Sequence, residues 1–140
     1  MATALASQKW LANNLTTVYD FDPGVTTAVD VGWVDMRDYS TLTVIAIRTI
    51  GTGTTDAFTI LSNPESDGSG TDVEIKTHAL ASEPDAISDF VVLECDHSEL
   101  GGNRYVSASL TMGTGTDEMM VVYIRSGGLS QLNLTADTIA

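Results

Sequence analysis

Asp96-His97-Ser98 brings together a carboxylate, an imidazole and a hydroxyl, the three side-chain types of a nucleophilic triad. That chemistry needs the groups to converge from separate parts of a fold, which three consecutive residues cannot do, and no Gly-x-Ser-x-Gly elbow is present to expose a nucleophile. The segment therefore reads as a turn capped by Asp96 or Ser98, with His97 in solvent. Cys95, His97 and His78 are the only cysteine and histidine side chains that could serve as metal ligands. The spacing of Cys95 and His97 puts them on one side of a continued strand, but zinc needs three or four converging groups. Cys95 falls more naturally beside Val91 and Leu93 on a core face, as a buried structural thiol.

Asp67-Gly68-Ser69-Gly70-Thr71-Asp72 has the look of a calcium loop. An EF-hand wants oxygen ligands at the first, third and fifth positions and glycine at the sixth, whereas here glycine stands second and fourth and aspartate sixth. A flexible turn between strands is expected, and Asp20, Asp22 and Asp30 carry the same ambiguity between calcium ligand and solvated acid. Trp10, Tyr19, Trp33, Tyr39, Tyr105 and Tyr123 have the chemistry of a sugar-stacking platform, but they are scattered, and scattered aromatics are core or interface anchors more often than ligand sites. Arg104 and Arg125, near strand ends in an acidic chain, are expected to pair with carboxylates. No catalytic constellation, metal site or cofactor site is expected, and the chain is read as a non-enzyme.

The elements that position these residues follow from composition and periodicity. The chain has 140 residues, the size of one domain, and carries 6 Lys and Arg against 19 Asp and Glu, a net charge of -13. Such a charge repels phosphate backbones, so nucleic acid is excluded as an expected partner. One cysteine rules out an internal disulfide. The longest strongly apolar run, Val44 to Ile47 preceded by Leu42, is far too short to cross a bilayer as a helix, so no membrane association is expected. Residues 1–14 lack the basic start and apolar run of a secretory signal.

Thr71 to His78 alternates, with Val73 and Ile75 on one face and Glu74, Lys76 and His78 on the other, as a half-buried strand does. Asn103 to Met112 alternates likewise, with Val106, Ala108, Leu110 and Met112 toward the core. Thr41 to Ile50, Phe90 to Cys95 and Glu118 to Ile124 are apolar on both faces, so each is either a central strand or is covered on its second face, which is where subunits are expected to meet. Phe58 to Leu61 is bracketed by turn-forming stretches, and Leu15 to Phe21 and Val25 to Trp33 flank the Asp22-Pro23-Gly24 turn. Asp35 to Tyr39 and Asp96 to Leu100 are brief helical connectors. The spacing predicts an all-β fold, an antiparallel β-sandwich or jelly roll of about eight strands over residues 15–128. An N-terminal arm, residues 1–14, precedes it and a tail, residues 129–140, follows it.

From Asp35 to Gly127 the order of signals resembles the head decoration, or cement, proteins of tailed bacteriophages. The pieces that carry the resemblance are Asp35-Met36-Arg37-Asp38-Tyr39-Ser40-Thr41-Leu42 before an apolar strand, Gly51-Thr52-Gly53 before Phe58-Thr59-Ile60-Leu61, Pro64 to Thr71, and Leu100-Gly101-Gly102-Asn103-Arg104-Tyr105-Val106. The resemblance implies a jelly-roll-like virion structural protein, often a homotrimer, that binds the major capsid protein on the outer surface of the shell and stabilises it against packaged DNA. It covers about two-thirds of the chain. The acidic surface fits the face of the shell away from the genome. Leu5, Trp10 and Leu11 in the arm are the expected capsid or subunit contact, because a buried Trp is a common interface anchor. A carbohydrate-binding β-sandwich module and a tail or adhesion component are the alternatives.

Overall fold

The computed structural model describes residues 15–21, 29–51, 55–78, 86–112 and 117–128. The arm with Leu5, Trp10 and Leu11, and the tail 129–140, lie outside these described residues.

Among the described residues nine strand segments follow in order: β1 (Leu15–Phe21), β2 (Val29–Asp30), β3 (Val34–Asp35), β4 (Tyr39–Ile50), β5 (Thr55–Asn63), β6 (Val73–His78), β7 (Phe90–Asp96), β8 (Tyr105–Met112) and β9 (Glu118–Gly128). All pairings among them are antiparallel. One sheet has the order β1-β9-β4-β7; in the other β8 lies beside β5, β5 beside β6, and both β2 and β3 pair with β8. Because β2 and β3 pair with successive stretches of β8, they are two halves of one interrupted strand. Counted so, eight strands form two four-stranded sheets, and every connection except β5 to β6 crosses between them. This is the double Greek-key order of a jelly roll. The expected fold class is what the structure shows.

The interruption has a physical cause. Gly32 takes φ 144, and its carbonyl accepts a hydrogen bond from the Tyr123 hydroxyl at 3.2 Å while its amide points to Ser107 Oγ at 3.4 Å. Of the expected strand Val25 to Trp33, residues 25–28 lie outside the described set, Val29–Asp30 is strand, the regular strand stops at 31–33, and pairing with β8 resumes at Val34, just past the expected end. Between the sheets lies one core, built from Leu42, Val44 and Ala46 of β4, Phe58 and Ile60 of β5, Val106, Ala108 and Leu110 of β8, and Met119, Val121 and Tyr123 of β9. These are the alternate residues that the period of two demands.

The β6 strand exists as expected but is less buried than its alternation implies. Val73 is 43% exposed because β6 is a sheet edge with a single neighbour, β5. The two brief connectors also resolve. Residues 37 and 38 form a turn closed by Tyr39 N to Met36 O at 3.1 Å, and His97–Leu100 is one 3-10 turn ended by Gly101 in the left-handed region.

Candidate functional site: the outer face of one sheet

The polar residues singled out from sequence are mostly used to build one end of the sandwich. Arg104 pairs with both carboxylate oxygens of Asp35, Nε to Oδ1 at 2.9 Å and Nη2 to Oδ2, and lies over the Tyr105 ring. Asp35 in turn raises the pKa of Arg104 through that hydrogen-bonded pairing. Arg125 behaves otherwise than expected: it donates to the backbone oxygen of Asp35 at 2.8 Å and to Thr17 Oγ1 at 3.3 Å, and stacks over Tyr39. His97 is half-buried rather than free in solvent. Its Nδ1 sits 3.1 Å from the carbonyl oxygens of both Met36 and Tyr39, which only accept, so Nδ1 carries the hydrogen and ties the turn to β4. Asn103 Nδ2 donates to Ser62 Oγ, which donates to Leu100 O.

The 64–72 loop closes over Trp33. Gly68 has φ +75, and a Cβ there would lie 2.5 Å from Trp33 Nε1. Asp67 accepts from Ser69 N at 3.0 Å, and hydrogen bonds from Ser69 hold its carboxyl below the usual range. Asp72 accepts from Asn63 Nδ2 at 2.6 Å. Burial, and then the nearby charge of Asp72, raise the pKa of Asp30. Among the described residues no three His, Cys, Asp or Glu side chains are grouped to hold a metal ion. Nor do the aromatics gather: Tyr123 is buried in the core, Trp33 is beneath the loop, and Tyr39 and Tyr105 each lie under an arginine. Trp10 and the Tyr19 side chain are outside the described residues. Cys95 is 2% exposed, and burial raises its thiol pKa to about 11. A thiol so protonated is a poor nucleophile.

What remains is a surface. The three strands that read as apolar on both faces are neighbours in one sheet, β9-β4-β7. Two of them, β4 and β9, are central within the sheet, while β7 is its edge. Their registry sets the outward side chains in rows across the face. Phe90, Ile47 and Met120 form the first row and Val92, Ile45 and Val122 the second. Glu94, Thr43 and Ile124 form the third, and Asp96, Thr41 and Ser126 the fourth. Rows two residues apart along a strand are about 7 Å apart. The face thus runs from wholly apolar to polar and acidic.

Phe90 is 63% and Val92 41% exposed. Exposed apolar side chains standing together mark an interaction surface more often than scattered ones do. Just before β7 a tight turn projects Ile87, 59% exposed, with Ser88 at φ 77. The turn is anchored by Ser88 N to Arg48 O at 2.9 Å and Arg48 N to Asp89 O at 3.0 Å, so the apolar end of the face sits on continued ladder.

The polar end is concave. A pocket of about 270 Å³ is lined by Thr41, Thr43, Ser126, Glu94, Asp96 and Glu99, with Lys76 and Cys95 at its side. Lys76 reaches across from the edge of the other sheet: its Nζ donates to the Glu94 backbone oxygen at 2.6 Å and lies 3.3 Å from Glu99 Oε1. The Asp96 amide, donating to Glu99 at 2.7 Å, and the Lys76 ammonium hold the Glu99 carboxyl below its ordinary range. A lysine on an edge carbonyl also blunts that part of the edge against strand addition.

No protein-family model matches the chain, and no curated protein matches it in sequence. Among solved structures it is similar to the SPBc2 prophage-derived protein YomS, with TM-score 0.49, 13% identity, and coverage of 81% of this chain and 95% of that one. It is also similar to the K1 cleaved adhesin domain of Lys-gingipain from Porphyromonas gingivalis, at TM-score 0.47 and 13% identity over 84% of this chain and 92% of that one. A third is the infectious bursal disease virus VP2 subviral particle, at 0.47 and 10% over 81% and 33%. Likenesses this distant carry no functional argument.

Proposed function

We propose that the chain is a virion structural protein of a tailed bacteriophage, a head decoration or cement protein that binds the outer surface of the capsid. The observation that carries this reading is the outward face of β9-β4-β7, where two adjacent rows of three, six apolar side chains in all, contain no charge, on a protein whose net charge is -13. Keeping an uncharged apolar strip exposed on an otherwise acidic surface costs solubility, and a partner surface that covers it offsets that cost. A rigid sheet with no ligand constellation among its described residues is suited to holding other proteins in place. The charge favours the side of a shell remote from DNA.

One such strip is a modest contact. The exposed parts of Phe90 and Val92 together amount to on the order of 200 Å², against about 800 Å² per partner in a stable protein pair. Attachment therefore gains from repetition: several copies presented together to a symmetric lattice bind by avidity. Purified protein added to phage heads that lack it should bind saturably, in copy numbers that are multiples of the lattice symmetry. Absence of saturable binding would sink the proposal.

A further inference from the structure

The gradient along this face specifies the partner's chemistry. We propose that the outer face of β9-β4-β7 docks a protein surface that presents two apolar side chains followed, at the next same-face position, by a lysine or arginine. This rests on the reading of the face as the capsid-binding surface.

Charge complementarity carries the inference. Next to the apolar rows, the polar end of the face holds Glu94, Asp96 and Glu99 around a pocket of about 270 Å³, with Lys76 as the single cation, so three negative charges meet one positive. Lys76 is already engaged with the Glu94 carbonyl and Glu99. The Glu94 carboxylate has a neutral partner, accepting from Thr43 Oγ1 at 3.1 Å. A guanidinium or ammonium arriving there finds carboxylate oxygens and the hydroxyls of Thr41, Thr43 and Ser126. The hydroxyls of Thr41 and Ser126, 2.5 Å apart, donate and accept as the incoming group requires.

Spacing supports the same occupant. Same-face side chains on an extended partner segment recur every 6.8 Å or so, which matches the step from the Phe90 row to the Val92 row to the Glu94 row. A second copy of this chain fits poorly. Laying two such faces together sets carboxylates against carboxylates or against Phe90 and Val92, and the cation each copy brings, Lys76, is already engaged with Glu94 and Glu99, so charge is left unpaired at a cost.

The test uses the full 15N-labelled chain titrated with the pentapeptide acetyl-Ile-Thr-Val-Thr-Arg-amide, and with versions ending in citrulline and in glutamate. Saturable amide shifts at Ile45, Val92, Thr43 and Thr41 are expected with the arginine peptide, at least fivefold weaker binding with citrulline, and none with glutamate. Glu94→Gln should bring the arginine peptide down toward the citrulline peptide. Equal affinity for arginine and citrulline would overturn the proposal. So would shifts confined to other surfaces, or concentration-dependent shifts of this face without peptide, which would make a second copy its occupant. Arginine preference without head binding would overturn the capsid reading alone, and head binding without arginine preference would overturn only the present proposal.

Discussion

Replacing Phe90 by serine separates binding from folding, because more of this side chain is in water than under protein. The ring is 63% exposed, and a phenylalanine side chain offers about 200 Å², so about 130 Å² of apolar surface is available for a partner to cover. At about 25 cal/mol per Å² that is about 3 kcal/mol. Binding recovers less than full area transfer, because ordering and imperfect fit offset part of it, so the expected loss is about 1–3 kcal/mol, or about 5- to 150-fold in affinity per site. Folding should lose less, about 1–2 kcal/mol, because the native state covers only about 70 Å² of the side chain. Phe58, at 0% exposure in the core, is the matched control, and Phe58→Ala should cost about 3–5 kcal/mol of stability. The assay is co-sedimentation with undecorated heads over a concentration series, alongside urea denaturation of the free proteins. Parental head affinity for Phe90→Ser would refute the reasoning, as would a stability loss approaching that of Phe58→Ala.

Three further predictions concern the scaffold. Tyr123→Phe removes the hydroxyl that accepts from Ala108 N at 2.8 Å and donates to Gly32 O, and should cost about 1–3 kcal/mol by denaturation, since it strips partners from buried backbone groups. Burial raises the Cys95 pKa from 9.0 to about 11, so its contribution to stability is complete below pH 9 and is lost as pH rises toward 11; alkylation at pH 8 should be slow in the native protein and fast in urea, and Cys95→Ser should flatten the alkaline part of the stability profile. Gly68→Ala should destabilise the protein by about 1–3 kcal/mol, measured by thermal melting, because it demands a left-handed backbone and drives a Cβ into Trp33.

Much of the fold was legible because period-two alternation survives wherever one face is covered. The segments around Phe58, Val106 and Val121 read as strands and are strands, with Phe58, Val106, Ala108 and Leu110 in the core. Alternation does not reveal which strands lie side by side. Thr41 to Ile50, Phe90 to Cys95 and Glu118 to Ile124 each looked two-faced, but only the sheet order turns three separate patterns into one apolar strip. The pocket was hidden for the same reason, since Lys76 and Glu99 belong to different parts of the chain and meet where the edges of two sheets approach. The interruption at Gly32 depends on a tyrosine 91 residues away. In sequence His97 reads as solvated, because the carbonyls that hold it come from Met36 and Tyr39 at the start of β4, which local sequence cannot bring near. Leu5, Trp10 and Leu11 have anchor chemistry but stand outside the described residues, and the candidate surface is built on Phe90 and Val92.

Hydrogen exchange followed by mass spectrometry, comparing free protein with protein saturated on heads, tests most directly whether this protein meets a capsid through the outer face of β9-β4-β7. Slowed exchange on binding is expected in peptides covering Ile87 to Asp96 and the neighbouring stretches of β4 and β9, with β5 and β8 unchanged. Protection confined to β5, β6 and β8, or none at all on bound protein, would contradict it.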